Sequence, residues 1–268
     1  DIGHKQGESA TITDAEVTYH PETNEVTGWV ENYPIYATFC QPNGKIKIFF
    51  AAKLDKKPQT IGTFIDEKIQ ENSNSVKGPG CGLYLTFQTK AKEQIQMQVG
   101  LSYTSIENAR NNRDAESAGK SFNDVKNAAR QTWNEMLGRI QVEGGTPEDK
   151  TKFYTGLYHA LLGRGIANDI NGQYIRHDKT IGQIPLDKNG IPLYSHHNTD
   201  GMWGGFWNLT QIWTLAYPEI FSSYIKSNLD FFENSGWLHD GEAAGVYTNG
   251  VQTNFQGLIM CRLPSRYS

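Results

Sequence analysis

The sequence is poor in the features that mark specialised chains. Three cysteines in 268 residues, Cys40, Cys81 and Cys261, are too few and too scattered for a disulfide framework or a zinc ribbon. Buried free thiols are the expected state, with a Cys40–Cys81 bridge open if their strands are neighbours. No apolar run approaches the ~20 residues of a membrane-spanning helix, and mean hydropathy is −0.57. Positive charge is not in excess. Lys and Arg number 25 against 29 Asp and Glu, giving a net charge of −4, which argues against a dedicated nucleic-acid binder. Charged residues reach only 20%, too few for a charge-rich disordered chain. There is no Ser-centred nucleophile elbow, P-loop or GxGxxG. The chain opens at Asp1 without Met or a signal peptide and stops at Ser268, soon after the apolar stretch Leu258-Ile259-Met260, so a piece of a longer protein is expected.

What is present is apolar and aromatic. Hydrophobic residues make up 37%, enough for a sizeable core, and the 12% aromatics include six Trp. That mixture suits a β-rich domain and carbohydrate contact surfaces.

The hydrophobic period changes near residue 105. Before it the pattern alternates. Ile95, Met97, Val99, Leu101 and Tyr103 are separated by polar or small residues, as are Leu83, Leu85 and Phe87, and Ile35, Ala37 and Phe39. Val17 and Tyr19, then Val26 and Trp29, flank the turn Pro21-Glu22-Thr23-Asn24, and Pro42-Asn43-Gly44 marks another. About seven short strands at ~10-residue spacing predict a β-sandwich. Residues 67–80 read as a polar loop.

After it the period is helical. Ser121 and Asp124 form a capping-box pattern ahead of Phe122, Val125, Ala129, Trp133, Met136 and Ile140. Thr146-Pro147-Glu148-Asp149 starts a second helix, with Phe153, Leu157, Tyr158, Leu161 and Leu162 as its apolar face. A hairpin-like excursion follows, with turns at 169–172 and 187–190. Helices are expected again at about 200–216 and at 219–233, after Pro218.

The densest polar cluster is His196-His197-Asn198-Thr199-Asp200. Two His and an Asp can ligate a metal, but adjacent side chains of an extended segment point to opposite faces. A polar loop before a helix, with Thr199 or Asp200 as N-cap, is the expected arrangement. Trp203 and Trp207, four apart, would share a helix face, and flat aromatic rings can stack on a pyranose. Core packing is the plainer role for Trp203, Phe206, Trp207, Trp213 and Tyr217. Asp169-x-Asn171-Gly172 has too few oxygen ligands for a calcium loop and reads as a turn. Glycoside hydrolysis needs two carboxyl groups; by residue type the candidates are Asp200, Glu233, Asp240 and Glu242.

Several runs resemble glycoside hydrolase family 92. Ser105-Ile106-Glu107-Asn108-Ala109 is similar to its S-x-E-N-A junction, and Phe153-Tyr154-Thr155-Gly156-Leu157-Tyr158-His159-Ala160-Leu161-Leu162 to its FYTALYHALL. Asp169-Ile170-Asn171-Gly172-Gln173-Tyr174 is similar to DVDGRY, and Gly236-Trp237-Leu238 and Thr248-Asn249 fall where the family has GWLP and TN. The resemblance covers roughly residues 10–260 in order.

It implies a β-sandwich followed by the first helices of an incomplete (α/α)6 barrel. The domains would be a sandwich over 1–104, linker helices over 105–145 and the start of a truncated catalytic domain over 146–268. It also implies a secreted or periplasmic, calcium-dependent, inverting exo-α-mannosidase acting on mannose-containing glycans, with Ca2+ binding sugar hydroxyls. The catalytic carboxylates and most calcium ligands would lie beyond Ser268, leaving no metal ligand here. Substrate-binding positions carried over are Trp203, Phe206, Trp237 and Asn249, with Asp200 as a substitute for the family Asp that is missing here. Gly204 and Trp207 stand where the family's LWDT[FY]R stretch has Asp and Arg, and Thr253-Asn254-Phe255-Gln256 replaces its GDHA. A non-catalytic glycan-binding protein, or an enzyme of the same fold acting on another sugar or linkage, is therefore the alternative.

Overall fold

The computed structural model describes residues 10–162, 165–199, 202–205, 207–238, 241–247 and 255–260. The chain divides into two units. The first comprises Asp1–Ala118, Asn168–Leu193 and Ala243–Gly250; the second comprises Gly119–Ala167, Tyr194–Glu242 and Val251–Ser268.

The first unit is built on antiparallel sheets. Its strands are β1 (Ala10–His20), β2 (Glu25–Pro34), β3 (Ile46–Leu54), β4 (Thr60–Ile65), β5 (Lys68–Glu71), β6 (Ser75–Lys77), β7 (Cys81–Thr86) and β8 (Met97–Ser102). Five form a sheet in the order β6-β1-β2-β3-β8, and three form a second in the order β5-β4-β7. The alternation of β1 sets its faces: Ala15, Val17 and Tyr19 are buried, while Glu16 and Thr18 face outward. Those three residues meet Val26, Ala52, Leu54 and Cys81, with Ile61, Leu83 and Leu85 alongside, and this is the sandwich core. The turn before β2 closes on Asn24 in a left-handed conformation. Its amide donates to the Leu54 carbonyl at 2.8 Å, and its Oδ1 accepts the Tyr19 hydroxyl at 3.0 Å. Cys81 is a buried free thiol whose pKa burial pushes up; the Cys40 side chain and Cys261 lie outside the described residues.

Three strand expectations need correction. Ile35, Ala37 and Phe39 lie on a short helix, α1 (Ile35–Cys40), that follows Pro34. Three alternating apolar residues span too little chain to separate a period of 2 from one of 3.6, and tertiary contact decides. Ala37 is fully buried against Ile46, Ala244 and Val246. The polar stretch 67–80 is not a loop throughout: β5 pairs with β4, and β6 with β1. Both are edge strands, which hydrogen-bond without an apolar alternation.

The third correction concerns β8, which begins at Met97, so Ile95 precedes it. Its apolar residues are the exposed ones, with Met97 and Leu101 each 60% accessible. They lie opposite Leu54 and Phe50 on the core-facing side, but at the rim of the sheet. The other face of β8 receives helix α2 (Ile106–Ser117). A Cβ on Gly100 would fall 2.0 Å from the Ala109 carbonyl oxygen, so only glycine admits this helix.

Buried charges fasten α2 to the sheet. Glu25 at the start of β2 accepts from Arg110 Nη2 at 2.9 Å and from Arg113, whose side chain is as buried as its own. Burial alone would raise the Glu25 carboxyl. The hydrogen bonds and charges of Arg110 and Arg113 outweigh it and hold the pKa below its ordinary value. Residues 173–183 add the hairpin β9 (Gln173–Ile175) and β10 (Ile181–Gln183), and β11 (Glu242–Ala243) pairs with β12 (Val246–Tyr247).

The second unit is helical. α3 (Phe122–Leu137) and α4 (Pro147–Leu161) both open on capping boxes, Ser121 with Asp124 as the sequence predicts, and Thr146, expected there as a helix start, with Asp149. α5 (Leu209–Ala216), α6 (Pro218–Ser235) and α7 (Phe255–Met260) complete the described helices. Leu157, Trp213, Tyr217, Phe221, Tyr224, Ile225 and Ile259 form the core. Trp213 donates to the Ala160 carbonyl at 3.2 Å, and the Tyr217 hydroxyl to that of Met136 at 2.9 Å. α3 joins this core only at its end, through Met136 and Leu137; Phe122 remains 68% accessible. No helix among the described residues is long and apolar enough to cross a membrane.

Candidate functional site

The second unit buries a polar cluster around residues 194–199. This extended segment is held by hydroxyls of α6 and by a short antiparallel bridge to residues 165–167, where Ala167 N–H donates to the His196 carbonyl at 2.8 Å. Ser195 N–H donates to Ser223 Oγ at 2.8 Å, and His197 N–H donates to Ser227 Oγ at 2.8 Å. Both imidazoles are buried. His196 packs edge-on against Phe231, with Nδ1 at 3.4 Å from Ser227 Oγ and 3.8 Å from Asp230 Oδ2. His197 Nε2 is 3.1 Å from Ser223 Oγ. Asp230 also accepts the Tyr194 hydroxyl at 2.8 Å. Ser223, Ser227 and Asp230 recur at steps of four and three, a polar stripe on one side of α6. That stripe was the available sequence signal for this cluster.

Thr199 closes the segment, but not as a helix cap. It is fully buried, its Oγ1 accepts the Glu242 N–H at 2.8 Å, and its own N–H donates to the Glu242 carbonyl at 2.8 Å. Its carbonyl takes the Met202 N–H at 3.0 Å and so starts a 3-10 turn over Met202–Gly204. The helix expected from about 200 begins only at Leu209. Gly204-Gly205 falls in the break, where a Cβ on Gly205 would meet the Met202 side chain at 2.9 Å. Trp203 and Trp207 therefore do not share a helix face, and Trp207 is 70% exposed.

Most of the predicted sugar contacts lie outside the described residues. The backbone of Trp203 lies in the 3-10 turn, and its side chain is outside the described residues; so are Asp200, Phe206 and Asn249. Trp237 follows Gly236, which ends α6 in a left-handed conformation, and its indole is 74% accessible. Of the carboxyl candidates, Glu233 is exposed on α6, Glu242 is buried, and Asp200 and Asp240 lie outside the described residues.

The first unit holds a second buried polar centre, which the sequence showed only as a turn. The turn is there: Gly172 N–H donates to the Asp169 carbonyl at 2.8 Å, with Gly172 at positive φ. The Asp169 carboxylate is buried beneath it. Oδ2 accepts Ser102 Oγ at 2.9 Å, Asn108 Nδ2 at 3.0 Å and the Thr104 hydroxyl; Oδ1 accepts Asn112 Nδ2 at 2.8 Å. Neutral donors thus satisfy the carboxylate and tie residues 169–173 to the start of α2. A cation here would have to displace them. Among the described residues no three His, Cys, Asp or Glu side chains converge on one point.

These sheets and helices match known proteins. The sequence profile of the glycosyl hydrolase family 92 N-terminal domain matches residues 1–102, and that of the glycosyl hydrolase family 92 catalytic domain matches residues 108–260. A family GH92 α-mannosidase of Bacteroides thetaiotaomicron is 21% identical over 90% of this chain, with a TM-score of 0.78. A family GH92 inverting mannosidase of Bacteroides thetaiotaomicron VPI-5482 is 22% identical over 93% of it, with a TM-score of 0.80. A third structure, the GH92 family glycosyl hydrolase ccman5, is 21% identical over 93%, with a TM-score of 0.75. This chain spans about a third of their length, 32% in each case. No curated protein matches it by sequence. Since two profiles of one family account for consecutive stretches from residue 1 to residue 260, and antiparallel sheets followed by helices reproduce its fold, the chain belongs to glycosyl hydrolase family 92.

Proposed function

We propose that this chain supplies the sandwich and the opening helices of a secreted or periplasmic, calcium-dependent, inverting exo-α-mannosidase acting on mannose-containing glycans. The observation that carries the reading is the ordered match of both domain profiles of one glycosidase family. Trp203 is the principal sugar contact, its indole offering a flat face to the C–H side of a pyranose. Asp200, Phe206, Trp237 and Asn249 complete the contact set, with Asp200 taking the role of the Asp that Gly204 replaces.

Inversion requires an acid and a base about 6.5–9.5 Å apart, with a water between base and sugar. The reading assigns neither to this chain and places the pair in later helices. Within the chain, the Thr199–Glu242 clamp and the Ser223 and Ser227 hydroxyls fix the segment leading to Asp200 and Trp203. Their part is to hold the sugar-facing turn in one place. Calcium enters through the family alone, and no residue here is assigned to it.

The second reading, a glycan-binding protein without catalysis, is favoured by one observation: Gly204 and Trp207 stand in place of the Asp and Arg of the pocket motif. Mannose release from an α-1,2-linked mannobiose by the full-length protein, with and without EDTA, separates the two. Release that EDTA abolishes and calcium restores is expected. Trp203→Ala should lower kcat/KM at least tenfold, about 1.4 kcal/mol of transition-state stabilisation. No release by folded, calcium-supplied protein that still binds the disaccharide establishes the second reading.

A further inference from the structure

The loops at one end of the sandwich carry a charge opposite to that of the chain. The whole sequence is net −4. Residues 53–57 (Lys-Leu-Asp-Lys-Lys) and 90–93 (Lys-Ala-Lys-Glu) nevertheless set five lysines against Asp55 and Glu93. The β3–β4 and β7–β8 connections line a cavity of about 410 Å3, with Lys56, Lys57, Gln59, Gln88, Thr89, Lys90 and the acidic Glu93 in its wall. That volume falls within the ~300–1,000 Å3 of small-molecule sites.

The wall is ordered by its own hydrogen bonds. Asp55 N–H donates to the Gln96 carbonyl at 3.1 Å, and Gln96 N–H returns to Asp55 Oδ1 at 3.0 Å. Gln59 N–H donates to the Thr86 carbonyl at 2.7 Å. Lys56 Nζ bonds the Gln88 carbonyl at 2.6 Å and the Glu93 carboxylate at 2.5 Å, and Glu93 also accepts the Lys90 N–H at 2.8 Å. Lys56 and Glu93 therefore cancel each other's charge. Lys57 and Lys90 are exposed, and neither forms an ion pair among the described residues. Two uncompensated ammonium groups at the mouth of one cavity raise its potential and favour an anion of matching charge. A phosphate monoester carries about −1.5 to −2 at pH 7. The amides of Gln59 and Gln88 and the Thr89 hydroxyl supply the mixed donors and acceptors that sugar hydroxyls require.

We propose that this cavity binds a phosphorylated sugar, with Lys57 and Lys90 holding the phosphate and Gln59, Gln88 and Thr89 the ring hydroxyls. The proposal is independent of the mannosidase reading. It is tested by titrating the full-length protein calorimetrically at low salt with glucose 6-phosphate, glucose and inorganic phosphate. Saturable binding of glucose 6-phosphate that weakens as salt rises is expected. The K57A/K90A double variant should bind it at least tenfold more weakly, and K57R/K90R within about threefold of the parent, because Arg keeps both charges. Absence of saturable binding, or binding unchanged in K57A/K90A, overturns the proposal. Inorganic phosphate binding as tightly as the sugar phosphate overturns it too, leaving an oxyanion site with no part for the sugar.

Discussion

Thr199 and Glu242 hold each other by a reciprocal pair of hydrogen bonds, each residue's N–H finding an oxygen of the other at 2.8 Å. One of these bonds uses a side chain, and both residues are buried. Thr199→Val keeps the shape and removes Oγ1, leaving the Glu242 N–H buried without its acceptor. The expected loss is about 1–3 kcal/mol, read as a lower unfolding midpoint in denaturant. Thr199→Ser retains the oxygen and should recover most of that loss. A Val variant as stable as the parent would mean that the clamp contributes nothing.

The Glu25–Arg113 pair gives the first unit a pH dependence with a definite sign. The folded carboxyl is held below its ordinary value. Its contribution is therefore fully present above the unfolded-state pKa, about 4.3, and is lost as pH falls through the lower folded value. Unfolding followed by urea between pH 6 and pH 3 should show stability falling with acid. Arg113→Met leaves the buried carboxylate with Arg110 as its remaining partner and should cost about 1–3 kcal/mol at neutral pH. The same change should flatten the acid limb. An acid limb as steep in the variant as in the parent would remove Glu25 as its source.

Asp169 supports the start of α2 from a turn distant in sequence. Asp169→Ala leaves the donors of Ser102, Asn108 and Asn112 without their common acceptor. Each of them keeps a second partner, in Thr104, Gln173 or the Leu101 carbonyl, so the expected cost is about 1–3 kcal/mol in all. Hydrogen exchange should accelerate in residues 106–112 and 169–173 ahead of β1 and β2. Uniform acceleration across the sheet would show that the turn is not locally coupled to α2.

How much of this was legible in the sequence follows the reach of each interaction. The capping box of Ser121 and the cap of Thr146 join residues three apart, and the pattern alone announced them. The alternation of Ala15, Val17 and Tyr19 likewise fixed the inner face of β1. The Asp169 centre was not legible, because its donors sit on β8, on α2 and between them, from 57 to 67 positions away. The burial of His196 and His197 depends on hydroxyls of α6 some thirty positions later. β5 and β6 carry no apolar period to detect, since edge strands draw their stability from one hydrogen-bonded neighbour. The sugar-contact positions came from the resemblance, and of these only the Trp237 side chain is described, as an exposed indole.

The apolar surface of residues 1–268 predicts how this segment behaves when produced by itself. Phe122 on α3 and Met97 and Leu101 on β8 are each at least 60% accessible, although their spacing matches a buried face. Apolar surface of this kind associates when nothing covers it. The isolated segment should bind a hydrophobic dye strongly and form larger species as its concentration rises. Phe122→Gln with Leu101→Thr should reduce both effects. Both side chains are largely exposed, so stability should stay within about 0.5 kcal/mol. The two readouts separate exposed patches from partial unfolding, because an unfolding segment would lose its urea transition as well. A soluble monomer with a cooperative melt and no dye binding would show that these side chains are covered in solution.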